Sequence, residues 1–305
     1  MIHFPDSSLT VVLEGGLGNR MRVAAATAAM AARVGAPVAC LWMEQWGMRC
    51  RLSDLFEPSA LTSIGGHPFE LRDASWGESV LLARPQPRNL LLPRLIQRVC
   101  FSSVIFSERV MPLRMAGFDF LAWAQGGGRR LMHAYRDFYR WDVGLLGQLF
   151  VPKADVQRLI DARCEGFSAN TIGVHIRRTD NRESIDDSPL DLFILQIDEQ
   201  IALHADTRIY LATDDEATKQ ELQRRYGRRI ITSVMQASRD SRDGIVEGLV
   251  EMYALSRTNH IFGSAGSTYS EMAAALGTKP FEVVRKDRNK PYESGLYLEE
   301  IKDKR

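Results

Sequence analysis

Residues 171–189, TIGVHIRRTDNRESIDDSP, join an apolar run to a dense set of charged side chains. The run TIGVHIR has the composition of a buried strand, and His175, Arg177, Arg178 and Asp180 stand at its end. Arginine makes charge-assisted, often bidentate hydrogen bonds to phosphate oxygens, and each such bond contributes roughly 1.5–3 kcal/mol net. These residue types therefore indicate a site for a phosphorylated ligand at the end of the strand.

Two further predicted strands of the second half end in polar residues. IYLATDD supplies Asp214 and Asp215, and IFGSAGSTYS supplies Ser264, Ser267 and Thr268 at the start of a helix. Ligands of open parallel sheets bind at the carboxyl ends of the strands, so we expect these residues and the arginines to line one crevice. Free N–H groups at a helix start complement arginine in binding a diphosphate, and carboxylates can accept from a ribose or a base. The pattern predicts a nucleotide-sugar donor, whose departing diphosphate arginine can stabilise without a metal.

The same residues also have explanations that need no ligand. The two arginines can form ion pairs with Asp180 or with the Asp214–Asp215 pair. One of these aspartates can cap the helix that follows it, and Ser267 or Thr268 can do the same for the next helix. The sequence leaves both interpretations open for each residue taken singly. The ligand-binding interpretation gains from the convergence of three strand ends.

The elements that must position these residues follow a regular alternation from residue 154 onward. Helical and strand patterns alternate through five strands, which is the signature of a doubly wound α/β domain. Ser188 is placed to cap the helix SPLDLFILQIDEQIALHA, with Pro189 in its first turn. At the amino end, LTVVLEGG predicts a strand, NRMRVAAATAAMAARVG a helix that stops at Gly35, and PVACLWM a second strand. Residues 45–150 give no traceable topology.

Composition sets the domain organisation and the broad class. The 305 residues are 45% hydrophobic with a net charge of +1, which permits two domains and argues against bulk electrostatic binding of nucleic acid. We expect a Rossmann-like domain over residues 1–150, a linker around Pro152, a nucleotide-sugar-binding domain over 151–285 and a tail over 286–305. The four cysteines lack metal-binding spacing, and no signal peptide or apolar span of ~18 residues is present. These features predict a cytoplasmic protein without a transmembrane segment.

A glycine-rich turn after the first predicted strand suggests an alternative function. Gly16 and Gly18 begin a dinucleotide fingerprint, and Glu44 ends the second strand, where a ribose-binding acid could lie. The third glycine of that fingerprint is replaced by Met21, whose bulk would obstruct close helix–strand packing. An NAD-dependent oxidoreductase built on this loop is thus an alternative, and it leaves the arginines at residues 177 and 178 unexplained.

Four of these segments, in this order, resemble the motifs of the fucosyltransferase superfamily. GGLGNRM with its alanine-rich helix, GVHIRRTD, IYLATDD and GSAGSTYSEMA look like the motifs of α-1,2-, α-1,6- and protein O-fucosyltransferases. The second half is most similar to the α-1,6 group, which includes the nodulation fucosyltransferase. The resemblance implies a GT-B fold of two Rossmann-like domains facing across a cleft, the N-terminal one on the acceptor side. It also implies metal-independent, inverting transfer of fucose from GDP-fucose, with no further cofactor.

The resemblance assigns donor-binding roles to residues in both halves of the chain. Arg177 and Arg178 would engage the diphosphate, with Arg177 the more critical, and His175 would line the same pocket. Asp214 and Asp215 match the nucleoside-contacting motif. The remaining donor-binding positions are Ser264, Ser267 and Thr268 in the hydroxyl-bearing loop, and Gly16, Gly18, Asn19 and Arg20 in the N-terminal glycine loop.

The chain also departs from the family pattern. Asn181 stands where the α-1,6 group usually has a lysine, and Glu183 is out of step with the glutamate proposed there as general base. Asp186 and Asp187 compete with Glu183 for that role. The expected acceptor is a glycan hydroxyl, on a lipid-linked or surface polysaccharide precursor, and aromatic residues of the first half are candidates for stacking on sugars. A non-catalytic nucleotide-sugar-binding protein on the same fold is a second alternative.

Overall fold

The fold is described from a computed structural model, which covers residues 8–45, 47–86, 89, 92–179, 181–235, 237–287, 289 and 294–299. The described chain divides into two compact units. Residues up to 153, joined by 297–299, form unit 1, and residues 154–296 form unit 2. Asp180, which the sequence placed among the charged residues after the strand, lies outside the described residues.

Unit 1 contains a six-stranded sheet with helices between its strands. Its elements are β1 (Ser8–Leu13), α1 (Leu17–Val34), β2 (Val38–Trp42), α2 (Leu52–Leu55), β3 (Ser63–Ile64), β4 (His67–Asp73), α3 (Trp76–Leu81), α4 (Leu92–Cys100), β5 (Ser103–Ile105), α5 (Ser107–Met115), α6 (Phe120–Gln125), β6 (Arg129–Ala134) and α7 (Gly144–Leu149). The strand order is β3-β4-β2-β1-β6-β5, and only the short β3–β4 pair is antiparallel among the described strands. The opening β–α–β segment predicted from the sequence is confirmed, and Gly35 ends α1 in the left-handed region at φ 73°.

Unit 2 is a five-stranded, all-parallel sheet with interleaved helices. Its elements are α8 (Ala154–Cys164), β7 (Thr171–Ile176), α9 (Arg182–Asp187), α10 (Leu190–Leu203), β8 (Arg208–Thr213), α11 (Glu216–Tyr226), β9 (Ile230–Thr232), α12 (Arg242–Ser256), β10 (His260–Ser264), α13 (Thr268–Gly277) and β11 (Phe281–Val284). The strand order is β11-β10-β7-β8-β9. The five strands predicted from the alternation are all present.

The central strand β7 is buried along its whole length because helices cover both faces of the sheet. On one face, Ile172 and Val174 pack in a hydrophobic cluster with Phe193 of α10. On the other face, Gly173 lets α12 and the residues after it approach closely, since a Cβ there would lie 2.7 Å from the Thr258 hydroxyl. A rigid, fully packed strand therefore carries the charged residues that follow it.

The end of the chain returns to unit 1. Trp141 forms a parallel β-bridge with Leu298, its backbone N–H donates to the carbonyl of Tyr297 at 3.2 Å, and Glu299 donates back to Trp141 at 3.0 Å. The backbone N–H of Tyr297 also donates to the buried carboxylate of Asp137 at 2.6 Å. Residues 297–299, which the sequence placed in a C-terminal tail packed partly against the rest of the chain, belong to unit 1.

Candidate functional site

The strand order of unit 2 places the predicted ligand-binding residues at the point where the direction of chain progression reverses. From β7 the chain continues to β8 and β9 on one side, whereas β10 and β11 lie on the other side. His175 is in register with Gly263 of β10 and with Ala212 of β8. The loops that leave β7 and β10 must therefore diverge, and ligands of open α/β sheets bind in the crevice formed there.

The ends of β7 and β10 are joined by the hydroxyl of Ser264. The backbone N–H of Arg177 donates to Ser264 Oγ at 3.1 Å, and this hydroxyl donates to the carbonyl of His175 at 3.4 Å. Ser264 is almost completely buried. The sequence resemblance assigned this residue to the donor phosphates, and in the structure its hydroxyl holds together the two strands that carry the site.

The two arginines interact electrostatically with different groups around the crevice. Both are half-buried. The charge of Arg177 acts on His175 and on Tyr269 in α13, whereas the charge of Arg178 acts on Asp215 at the start of α11. The Arg178 guanidinium also donates to the carbonyl of Ile185 at 3.4 Å. Arg177 thus places positive charge near the start of α13, and Arg178 places it near the start of α11.

His175 is a neutral, buried residue beneath the arginines. Burial, assisted by the charge of Arg177, lowers its pKa to about 4. The ring lies 4.9 Å from the ring of Tyr269, and its Nδ1 atom is buried without a hydrogen-bond partner. At neutral pH this side chain therefore supports the floor of the crevice without adding charge.

The two aspartates after β8 hold the neighbouring loops in place. Asp214 accepts from the backbone N–H groups of Arg178 and Thr179 at 2.7 and 3.3 Å, and from the Thr179 hydroxyl at 2.7 Å. Asp215 caps α11 by accepting from the N–H of Thr218 at 2.8 Å, and hydrogen bonding by Thr218 lowers the pKa of Asp215. Asp215 therefore has the capping role that the sequence left open, whereas Asp214 holds the loop after β7. Contact of either carboxylate with a nucleoside stays a prediction.

The turn before α13 presents a helix N-terminus at the end of β10. Gly266 adopts φ +66°, and Ser267 at the N-cap makes no side-chain hydrogen bond to the first turn. The first N–H groups of a helix have no intrahelical partner, and they attract anions through the helix dipole. Thr268 begins the helix and is half-buried. This turn offers the donor groups that a phosphate requires.

A short helix that the sequence did not predict, α9, braces this turn. The Ser184 hydroxyl donates to the carbonyl of Ala265 at 2.6 Å, and the Asn181 amide donates to the carbonyl of Gly266 at 3.1 Å. The Ser188 hydroxyl accepts from the N–H of Ala265 at 2.8 Å. The only local signal was Asn181 three residues before Ser184, a spacing typical of a helix cap.

The expectation that Ser188 caps the helix after it is wrong. Pro189 occupies the N-cap position of α10 and makes no side-chain cap, while Ser188 ends α9. The Ser188 hydroxyl is completely buried against the turn before α13 because the amide of Ala265 needs an acceptor there.

Of the three carboxylates considered as general base, Glu183 has a defined place beside the crevice. A Cβ atom built on Gly266 would lie 2.6 Å from its Oε2 atom, so the carboxylate rests against the turn that leads into α13. Asp187 contributes its backbone carbonyl to the N–H of Lys286 at 2.9 Å, and Asp186 is exposed. The choice among the three stays a prediction.

The N-terminal glycine loop belongs to unit 1. Gly15 adopts φ +80°, Gly16 is the N-cap of α1 without a side-chain cap, and Gly18 is half-buried. The amide oxygen of Asn19 accepts from Arg22 at 2.8 Å. Met21, at the third position of the dinucleotide fingerprint, is completely buried, which argues against a dinucleotide loop here.

Arg20, which the resemblance assigned to donor binding, is bonded within unit 1. Its side chain is completely buried, donates to the carbonyls of Gly15 at 2.9 Å and Met43 at 2.7 Å, and lies 4.8 Å from the Trp42 ring. Burial lowers its pKa to about 9. Arg20 therefore shapes the glycine loop, and its contact with the donor stays a prediction.

A second polar cluster, which was not predicted from the sequence, lies at the ends of β1 and β6. Glu14 accepts from the hydroxyl of Ser107 and contacts His133 Nδ1 at 3.1 Å. Burial raises the pKa of Glu14, but hydrogen bonds from His133 and Ser107 outweigh burial, and the net pKa is lowered. His133 Nε2 is buried without a partner. The three residues are far apart in sequence, so only the fold brings them together.

Solved structures of fucosyltransferases have the same fold as this chain. NodZ from Bradyrhizobium is 17% identical, with 95% of this chain and 98% of NodZ aligned at a TM-score of 0.64. A mutant of Arabidopsis thaliana FUT1 in complex with GDP is 17% identical, covering 95% of this chain and 72% of FUT1 at a TM-score of 0.56. POFUT1 in complex with GDP is 10% identical, covering 93% and 99% of the two chains at a TM-score of 0.55.

No protein-family model and no curated protein sequence matches the chain. The resemblance to the fucosyltransferase superfamily that the motifs suggested is confirmed at the level of the fold.

Proposed function

We propose that this chain is a fucosyltransferase-like glycosyltransferase that moves fucose from GDP-fucose to a hydroxyl group of a glycan acceptor. One observation carries the proposal. At the reversal point of a parallel sheet, Arg177 and Arg178 follow β7, and the N-terminus of α13 follows the neighbouring strand β10. Arginine side chains and helix-start amides are the groups that bind a diphosphate in proteins.

Solved structures with this fold support the choice of donor. Crystal structures exist of NodZ soaked with GDP-fucose, and structures of FUT1 and POFUT1 have been solved in complex with GDP. We therefore assign GDP binding to unit 2, and acceptor binding to unit 1, in the GT-B arrangement that the resemblance implies. The acceptor we propose is a glycan of a lipid-linked or surface polysaccharide.

The proposed reaction is a single displacement with inversion at the anomeric carbon. The acceptor oxygen forms the new bond to that carbon while the bond between the carbon and the diphosphate oxygen breaks. The departing GDP gains negative charge, which Arg177, Arg178 and the first amides of α13 stabilise. The acceptor hydroxyl gives its proton to a carboxylate, for which Glu183 is our first choice because it rests beside Gly266.

Calorimetric titration with GDP and GDP-fucose tests this proposal. We expect both to bind, and we expect Arg177→Ala to weaken the binding of GDP by roughly 10- to 150-fold, the equivalent of one charge-assisted contact. The matched control is Arg228→Ala, an exposed arginine before β9 at the opposite edge of the same sheet, which should leave the affinity unchanged.

The absence of binding at millimolar nucleotide, or equal affinity in Arg177→Ala and the unmodified chain, would contradict the proposal. A donor-hydrolysis assay then separates an enzyme from a nucleotide-sugar-binding protein, because only the enzyme releases free sugar from GDP-fucose. Binding of NAD in place of GDP would favour the oxidoreductase alternative.

A further inference from the structure

Helix α4 in unit 1 exposes its apolar residues and buries polar ones. Leu92, Leu95 and Val99 are 48, 63 and 78% exposed, while Pro93 and Gln97 are buried. The three exposed residues are spaced by three and four positions and therefore share one side of the helix. A helix of a protein surrounded only by water would be expected to turn this side inward.

Hydrogen bonds hold α4 in this orientation. The side-chain amide of Gln97 donates to the carbonyls of Leu81 and Ala83, at 3.3 and 3.0 Å. These carbonyls lie at the end of α3 and just beyond it. Rotation of α4 to bury Leu95 would expose Gln97 and remove both bonds, so the apolar side faces outward as part of the folded unit.

The neighbouring helix α3, which contacts α4, adds two more exposed apolar side chains. Trp76 is 84% exposed and Val80 is 41% exposed, four residues apart on one side of α3. On the buried side, Glu78 receives two hydrogen bonds of 2.8 Å from Arg72 and a third of 2.8 Å from the N–H of Ser75. The exposure of Trp76 is thus also fixed by buried polar contacts.

The charged residues between α3 and the start of α5 are all arginines, and the glutamates at the two ends of this segment, Glu78 and Glu108, are paired with Arg72 and Arg84. Residues 79–107 contain Arg84, Arg88, Arg94 and Arg98 and neither Asp nor Glu. Arg84 is paired with Glu108 at 2.8 Å, whereas Arg94 and Arg98 are exposed on the same helix as the apolar side chains. Exposed aliphatic and tryptophan side chains beside arginines are typical of helices that lie in the headgroup region of a bilayer.

We propose that α3 and α4 form a docking surface for an anionic lipid bilayer. Trp76, Leu95 and Val99 enter the boundary between headgroups and acyl chains, and Arg94 and Arg98 bind lipid phosphates. A bilayer suits this surface because exposed apolar side chains and exposed arginines occur together on two helices that contact each other. Among the described helices, none is both long and apolar enough to cross a membrane, so the contact is peripheral.

Co-sedimentation of the full chain with vesicles tests the proposal. We expect binding to vesicles of about three parts phosphatidylcholine to one part phosphatidylglycerol, and weak binding to phosphatidylcholine alone. Arg94→Gln with Arg98→Gln should reduce binding to the anionic vesicles by about 30-fold, since each arginine near such a surface contributes about fivefold. Leu95→Glu with Val99→Glu should remove the binding, and high salt should weaken it for the unmodified chain.

The matched control is Leu195→Glu with Leu203→Glu, which places the same two charges at exposed leucines of α10 in unit 2 and should bind vesicles like the unmodified chain. Failure of the unmodified chain to sediment with anionic vesicles would overturn the proposal, as would equal binding of the Leu95→Glu, Val99→Glu variant. A dimer in light scattering that this variant splits would also overturn it, because a second copy would then cover the surface. GDP calorimetry on each variant checks folding and tests the donor site separately, so the two proposals fail independently.

Discussion

At the residue scale, burial separates the side chains that build the crevice from those that could meet a ligand. The sequence identified Arg177 and Ser264 as polar residues at predicted strand ends, and Arg20 through the family resemblance. In the structure the side chains of Ser264 and Arg20 are buried and form hydrogen bonds with other residues of the protein. Arg177, at the end of a strand, is only half-buried. Residue type could be read from the sequence, but burial depends on contacts with residues far away along the chain.

His175 should make the chain sensitive to acid. Its pKa falls from 6.5 to about 4 in the folded state because the ring is buried near Arg177. Above pH 6.5 the ring is neutral in both states and has no effect on stability. As the pH falls from 6.5 to about 4, the unfolded chain binds the proton and the folded chain does not. The free energy of unfolding should therefore decrease by about 3 kcal/mol over this interval.

Urea unfolding at pH 7 and near pH 4 checks this effect. The loss of stability between the two conditions should be smaller by about 3 kcal/mol in His175→Gln than in the unmodified chain. The comparison uses the difference between two conditions, so any constant cost of the substitution cancels. An equal loss in both proteins would mean that His175 titrates normally in the folded state.

At the element scale, the sequence predicted the second half well and the first half poorly. The strands of unit 2 alternate with helices of 14, 11, 15 and 10 residues, which are long enough to show a helical period between the apolar strand segments. Between residues 45 and 134, β3 has two residues, β5 has three, and both helices α2 and α3 are shorter than seven residues. Elements this short contain too few residues to show the periodic apolar pattern of a helix or a strand. Their conformation depends on tertiary contacts, which the local sequence does not reveal. The six-residue helix α9 escaped prediction for the same reason.

A side chain at Gly266 should destabilise the turn between β10 and α13 unless Glu183 moves aside. Alanine there would meet two penalties, the left-handed φ of +66° and a Cβ atom 2.6 Å from Glu183 Oε2. Gly35, at φ +73° with nothing within 4 Å, carries the first penalty only and is the matched control. We expect Gly35→Ala to lose about 1 kcal/mol of unfolding free energy and Gly266→Ala to lose about 1–3 kcal/mol.

Adding Glu183→Ala to Gly266→Ala should reduce the loss of unfolding free energy to the value found for Gly35→Ala. The steric contact with Glu183 is then removed, while the cost of the left-handed φ angle remains. Urea unfolding of the three proteins measures these differences. Equal losses in Gly35→Ala and Gly266→Ala would show that Glu183 moves aside without cost, and the carboxylate would then not be held against the turn.

At the scale of the whole molecule, the chain passes from unit 1 to unit 2 after residue 153 and back after residue 296. The sequence did not reveal this return, because YESGLYLEE has the polarity of an exposed tail. Its anchor is the buried carboxylate of Asp137, which also accepts from Trp141 Nε1 at 3.0 Å and pairs with Arg114 at 3.3 Å. A buried carboxylate needs several donors, and the N–H of Tyr297 is one of them.

The ring of Tyr297 should contribute measurably to the stability of unit 1. The guanidinium carbons of Arg114 and Arg140 lie 4.7 and 4.8 Å from its centroid. Removing the ring in Tyr297→Ala forfeits two cation–π contacts and apolar burial, for an expected loss of about 1–3 kcal/mol. Tyr297→Phe keeps the ring and should behave like the unmodified chain.

Scanning calorimetry with and without GDP locates this loss, because a ligand raises the unfolding temperature of the unit that binds it. If unit 2 binds GDP, Tyr297→Ala should lower the transition that GDP does not shift, by roughly 2–8 °C for a domain of this size. A loss confined to the GDP-sensitive transition would place the contribution of the tail in unit 2. An equal loss in Tyr297→Phe would assign it to the hydroxyl group, and the contacts of both arginines with the ring would then contribute nothing.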